Sequence, residues 1–276
     1  MLQTFKDLSF KPVVNNAPKT LTPAQIDQYN RDGYVTGFNA FSADEADANR
    51  RYFDSLIAQA GPDGGYAVNC FQARLRGVWD LCTNPTILDH VEDLIGPNIV
   101  CWASHFFAKL PGDPKAVPWH QDASFWHLAP ARTVTVWLAI DDTDEENAAM
   151  RFIPGTHDKG ALEWQAAEGE SVLDREMVGA DAMGEPVSNN LKAGQFSLHA
   201  DMLAHGSLPN TSDRRRCGLT IRYIPPEVVA THETWKKGIE PIICRGGDPT
   251  GEWKHHPRPE SDAFNRNNGP RSVGGN

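Results

Sequence analysis

The stretch Pro118-Trp119-His120-Gln121-Asp122 sets an imidazole and a carboxylate two residues apart. On a β-strand, residues i and i+2 project to the same face. His120 and Asp122 can therefore be aimed at one point. A second histidine arriving from a distant strand, His205, would complete a set of two histidines and one carboxylate. Bound on one face of an octahedron, such a set suits non-heme Fe(II) and leaves three positions open for a co-substrate and O2. A structural zinc site would instead be closed, usually by thiolates. A His-x-Asp triplet also arises by chance, so the pair alone leaves open a polar histidine at a strand end.

The second half of the sequence adds a cation. His205-Gly206-Ser207-Leu208-Pro209-Asn210 ends one strand and enters a turn, and Arg216 begins the next strand. A hairpin there would carry the Arg216 guanidinium into the same barrel as His205. Arginine grips a carboxylate through two parallel hydrogen bonds. Arg214 and Arg215 read as a solvated charge run. His199-Ala200-Asp201 repeats the His-x-Asp spacing on the strand leading to His205 and is expected to orient neighbours rather than bind metal. His157 follows a tight Pro-Gly turn and reads as a turn contact. His255 and His256 lie in the tail and read as solvated.

The elements that must position these groups change character along the chain. Thr22-Pro23-Ala24-Gln25 and Ser42-Ala43-Asp44-Glu45 are capping boxes that open two helices, and Pro85 to Ile95 reads as a third. From Val100 onward the pattern is that of strands: Val100 to Leu110, Thr133 to Ile140, Arg151 to Ile153, Gln195 to His205 and Cys217 to Ile224. The expectation is one domain over 1–276. Residues 1–98 are mainly helical, the β core runs over 99–226 with an acidic insertion or lid at about 160–192, and 227–276 is irregular, with the last ten residues disordered. Strands joined by irregular loops behind a helical layer predict a mainly β fold, a jelly roll braced by N-terminal helices.

Bulk composition narrows the partners. The formal net charge is −10 over 276 residues, which disfavours nucleic acid and anionic membrane surfaces. No apolar run approaches the roughly 20 residues needed to span a bilayer. The five cysteines are widely spaced with no Cys-x-x-Cys pair, so a reducing, cytoplasmic setting is the default. Oligomeric state is not legible.

Taken in order, these segments resemble the phytanoyl-CoA dioxygenase family of Fe(II)/2-oxoglutarate oxygenases. The matching pieces are Lys109-Leu110-Pro111, His120-Gln121-Asp122-Ala123-Ser124-Phe125, Val136-Trp137-Leu138-Ala139-Ile140-Asp141-Asp142, Phe152-Ile153-Pro154-Gly155-Thr156-His157, and His205-Gly206-Ser207 with Asn210 and Arg216. The resemblance implies a double-stranded β-helix, with His120, Asp122 and His205 as iron ligands and Arg216 holding the distal carboxylate of 2-oxoglutarate. It also implies Trp137 lining the co-substrate site and Ser207 as a helper hydroxyl. His105 stands where relatives often carry an apolar co-substrate neighbour. The implied activity is hydroxylation of an unactivated C–H bond in a small organic substrate, with O2 consumed and 2-oxoglutarate converted to succinate. Asp122 retains the carboxylate that iron-dependent halogenases lack. The alternative is a cupin-like metal protein without catalysis or without 2-oxoglutarate.

Two neighbouring groups stay open between substrate contact and structural duty. Phe125, Trp126 and His127 follow the His-x-Asp motif and fit either an apolar or cationic substrate or ordinary core packing. Asn69, Gln72, Arg74 and Arg76 fit either an anionic substrate group or a solvated strand.

Overall fold

The computed structural model describes residues 6–61 and 64–265. The expected disorder of the last ten residues lies outside these. The chain runs α1 (Pro23–Asp32), β1 (Tyr34–Asn39), α2 (Ala43–Ala60), α3 (Arg76–Cys82), α4 (Pro85–Ile95), β2 (Ile99–Lys109), β3 (Val117–His120), β4 (Leu128–Ala129), β5 (Val134–Ala139), β6 (Arg151–Phe152), β7 (Trp164–Ala166), β8 (Arg175–Met177), β9 (Val187–Ser188), β10 (Gln195–Ala200), β11 (His205–Ser207), β12 (Arg216–Ile224), β13 (Val229–Ala230), α5 (Glu233–Lys236) and β14 (Ile242–Arg245). Both capping boxes form. Thr22 caps α1 with Gln25 reaching back, and Ser42 caps α2 with Glu45 reaching back. The segment expected to be irregular over 227–276 is not so at its start, where β13, α5 and β14 form and β14 joins the larger sheet beside β2; from Gly246 onward the described tail holds no helix or strand.

Two antiparallel sheets carry the fold. The larger has the order β1-β10-β5-β12-β2-β14, and the smaller has the order β3-β11-β6-β9. Strand alternation divides the larger sheet into two faces. Leu138, Leu198, Leu219, Ile221 and Tyr223 pack against Phe53, Leu56, Ile87, Val91 and other side chains of the helical layer. On the other face, Trp137 and Ala139 meet Met150, Phe152, Leu191 and Leu203, which closes the space between the sheets. The result is the mainly β, helix-braced jelly roll that the strand pattern predicts.

The structure departs from the sequence reading in particular places. β1 is a strand inside the mainly helical N-terminal region, pairing with β10 at the sheet edge. Its pattern of two buried residues followed by exposed ones lacks the alternation that would reveal it. Gln195 to His205 is not one strand: β10 belongs to the larger sheet and β11 to the smaller, with a turn between them. β11 and β12 therefore form no hairpin, because the chain crosses from one sheet to the other between Ser207 and Arg216. The insertion is partly integrated: β9 pairs with β6, and β7 pairs with β8.

Candidate active site

His120 ends β3 and pairs in register with His205 of β11. Asp122 is not on the strand, as the i, i+2 argument expects, but opens a single 3-10 turn, Asp122–Ser124. The three residues nonetheless converge. One donor atom from each of His120, Asp122 and His205 lies within 4.8 Å of the others, and all three residues are buried. His120 Nε2 faces Asp122 Oδ1 at 3.6 Å, and the two imidazole rings lie 4.1 Å apart.

Backbone carbonyls fix both imidazoles. His120 Nδ1 lies 2.8 Å from the Pro118 carbonyl, and His205 Nδ1 lies 2.9 Å from the Leu203 carbonyl. A carbonyl only accepts, so each Nδ1 carries the proton and each Nε2 keeps its lone pair for a metal. Burial, with the nearby His120, pushes His205 down to about 4, which keeps it a neutral donor. Burial alone would raise Asp122, but the facing His120 imidazole and the Arg222 charge outweigh it and hold the carboxyl well below its usual range. Two imidazoles and one carboxylate on one side of a buried point fit a divalent metal with open positions.

These residues line a cavity of about 410 Å³ between the sheets. Arg216 closes one end of it. Its Nη2 donates to Ser207 Oγ at 3.1 Å, its Nε donates to the Ala148 carbonyl at 3.1 Å, and its carbon Cζ lies 5.8 Å from the Trp137 ring. The side chain is buried, yet among the described residues it forms no ion pair with a carboxylate. A buried cation without a counter-charge is costly, and an acidic ligand would relieve that cost. The cavity thus suits a co-substrate with a terminal carboxylate. A larger surface cleft of about 570 Å³ lies elsewhere, between the N-terminal segment and α4, and holds none of the three candidate ligands.

His105 also reaches the cavity wall. Its Nε2 lies 2.9 Å from the Tyr66 carbonyl, and burial beside Arg222 pushes it down to about 3. Lys109, buried at the end of the same strand, donates to the Lys115 carbonyl at 2.7 Å and to the Leu208 carbonyl, bracing the turn after β11.

Several sequence readings change here. Arg214 and Arg215 are not simply solvated. Arg214 pairs with Asp144 at 2.8 Å, and Arg215 binds Asp141 and Asp54 and covers the Phe53 ring. Of the group before the barrel, Asn69 lines the cavity, whereas Gln72 bonds to Ser104 and the Glu240 carbonyl, Arg74 pairs with Glu240, and Arg76 pairs with Asp262. Phe125 and Trp126 line the cavity, while His127 turns outward against His232. His199 is buried 4.9 Å from the His205 ring, and Asp201 accepts from the Thr133 amide at 2.9 Å. His157 is a buried turn contact on the Asn30 carbonyl. His255 is exposed, as expected, but is also held, its Nδ1 accepting from the Ile243 amide at 3.0 Å.

Among the cavity residues that escaped the sequence reading is a second buried arginine. Arg222 lies six positions beyond Arg216 on the same face of β12 and is buried in the wall. The even spacing Arg216, Thr220, Arg222 on a continuous strand was the available signal, because all three must share a face.

A profile of the phytanoyl-CoA dioxygenase (PhyH) family matches residues 29–218. The chain belongs to this family. Membership places it among the 2-oxoglutarate-dependent oxygenases, enzymes that use Fe(II), 2-oxoglutarate and O2. L-Proline trans-4-hydroxylase of Streptomyces griseoviridis is 25% identical over 229 residues, spanning 71% of this chain and 84% of that one. A probable alpha-ketoglutarate-dependent hypophosphite dioxygenase of Stutzerimonas stutzeri is 32% identical over 148 residues, 52% of this chain and 51% of its own. Among solved structures, the non-heme monooxygenase ThoJ in its apo form superposes with a TM-score of 0.71 at 29% identity, covering 86% of this chain and 88% of that one. Among the described residues, no helix is long and apolar enough to cross a membrane.

Proposed function

We propose that this family member hydroxylates an unactivated C–H bond of a small organic substrate, with His120, Asp122 and His205 holding Fe(II). Arg216 receives the distal carboxylate of 2-oxoglutarate. Ser207 shares the Arg216 fork, Trp137 walls the co-substrate, and His105 borders it. The observation that carries this reading is the pairing of a buried three-donor cluster with a buried, carboxylate-free guanidinium in one cavity. A metal-storage protein on the same barrel has no use for that guanidinium.

When bound, iron and 2-oxoglutarate supply the oxidation: O2 is consumed, the co-substrate leaves as succinate and CO2, and one oxygen atom enters the substrate. The chain supplies position and exclusion of water. The Pro118 and Leu203 carbonyls hold the proton on each Nδ1, so Nε2 of both histidines stays directed at the metal. Arg216, already oriented by Ser207 and the Ala148 carbonyl, receives a carboxylate with little reordering. Phe125, Trp126 and Trp102 give the remaining wall an apolar surface for the substrate.

The test is anaerobic Fe(II) binding with 2-oxoglutarate present. Wild-type protein is expected to bind one Fe(II), and His205→Ala and Asp122→Ala are expected to lose that site while keeping their circular dichroism spectra. Unaltered stoichiometry and affinity in both folded variants would overturn the ligand assignment.

A further inference from the structure

Arg222 has an unusual set of neighbours. Its guanidinium carbon lies 4.9 Å from the Trp126 ring and 5.8 Å from the Trp102 ring. The side chain is 9% exposed, and its Nε has no hydrogen-bond partner among the described residues. Nor does it form an ion pair there: the buried cation rests on two indoles and leaves its N–H donors unused. Stacking on aromatic faces steadies a guanidinium without consuming its donors.

The backbone presents the group deliberately. The ladder between β12 and β2 shifts register between Arg222 and Tyr223, which pair with Ala103 and Cys101. The residue skipped on β2 is Trp102, one of the two indoles against the guanidinium. A bulge re-aims side chains at a site. Trp126 is held in turn against Trp102, with ring centroids 4.7 Å apart.

Charge balance in the cavity points the same way. Asp122 is the one carboxylate among the described residues lining it, and it is a candidate metal ligand. A divalent metal, Asp122, Arg216 and a doubly charged co-substrate sum to neutrality. Two cations are left over, Lys115 and Arg222; Lys115 is exposed and neutralised by solvent, so Arg222 is the buried charge without an answer. The other lining groups do not answer it: His105 and His205 are neutral, and Asn69, Thr220 and Tyr66 are uncharged.

We propose that Arg222 is the acid-recognition point of the substrate pocket: the substrate is a small organic oxyanion, a carboxylate or a phosphonate, whose oxygens take the free N–H donors of this guanidinium. The inference rests on the functional reading above and adds the substrate class. Arg222 is a binding residue here, acting on the end of the substrate away from the reacting C–H bond. The indole pair and Phe125 cover the carbon skeleton.

The test uses the full-length protein loaded with Zn(II) and saturated with 2-oxoglutarate, so that Arg216 is occupied. Butyrate, propylphosphonate, butyramide and butylammonium are compared by ligand-observed NMR titration. At least one acid is expected to bind tenfold or more tightly than the amide and the ammonium ion, and the better of the two acids names the head group. In Arg222→Gln and Arg222→Met that preference is expected to disappear, with 2-oxoglutarate affinity within twofold of wild type. Equal binding of amide and acid, or an acid preference that survives both substitutions, would overturn the proposal. Parallel loss of 2-oxoglutarate affinity in both variants would also overturn it, since Arg222 would then serve the co-substrate. Should wild-type protein fail to bind 2-oxoglutarate, the functional reading falls, and the acid preference and its dependence on Arg222, measured without co-substrate, still decide the anion site.

Discussion

The indole of Trp137 fills the space that a side chain at position 218 would need. A Cβ on Gly218 would sit 2.1 Å from Cζ2 of that ring. Thr220, not Gly218, lies directly across the ladder from Trp137, so the ring must lean along the sheet toward Arg216 to reach this position. The absent side chain at 218 thus helps let Trp137 wall the cavity.

Gly218→Ala is accordingly expected to displace the ring. Overpacking of a filled interior costs about 1–3 kcal/mol. The denaturant midpoint should fall, and 2-oxoglutarate should bind more weakly because the wall beside Arg216 has moved. Wild-type stability together with wild-type co-substrate affinity would show that the contact is relaxed at no cost.

Arg216→Lys separates charge from shape. A lysine keeps the cation but loses the planar fork that bonds Ser207 and the Ala148 carbonyl together. Charge-assisted hydrogen bonds are worth about 1.5–3 kcal/mol each, so 2-oxoglutarate affinity measured by calorimetry should drop roughly tenfold or more. An unchanged dissociation constant would mean that the fork is not used.

Much of this architecture was legible in the sequence. The capping boxes at Thr22 and Ser42 and the strands that became β2, β5 and β12 are local patterns whose signals lie within the segments themselves. What was missed depends on non-local pairing. β1 exists because β10 needs an edge partner, and the break between β10 and β11 reflects a crossing between sheets that no local spacing encodes. At the site, the coming together of His120, Asp122 and His205 could be read from residue types. That Asp122 sits on a 3-10 turn rather than the strand could not. Arg222 was overlooked because an arginine late in a strand looks like surface charge until its two indole neighbours, distant in sequence, are in place.

Asp201 carries a prediction about pH. Burial pushes its carboxyl up to about 7, against an ordinary value of 3.8. The folded state therefore keeps a proton that the unfolded chain releases. The contribution to stability is complete below the unfolded value and is lost as pH rises through about 7, at up to about 1.4 kcal/mol per pH unit while only the unfolded form is ionised. In Asp201→Asn the amide oxygen can still accept from the Thr133 amide, and the loss should vanish. Urea midpoints at pH 5 and pH 7.5 check this: wild type is expected to lose more stability between them than the variant. Equal losses would contradict it.

On the proposed reading, one cavity holds both the metal ligands and the co-substrate cation. That reading is tested most directly by anaerobic titration of the Fe(II)-loaded protein with 2-oxoglutarate, followed by visible absorption. A weak metal-to-ligand charge-transfer band that saturates in wild type, and is lost at the same concentrations in Arg216→Ala and in His205→Ala, is the expected result. Fully loaded iron with no band at saturating 2-oxoglutarate, or a band unaffected by Arg216→Ala, would contradict it.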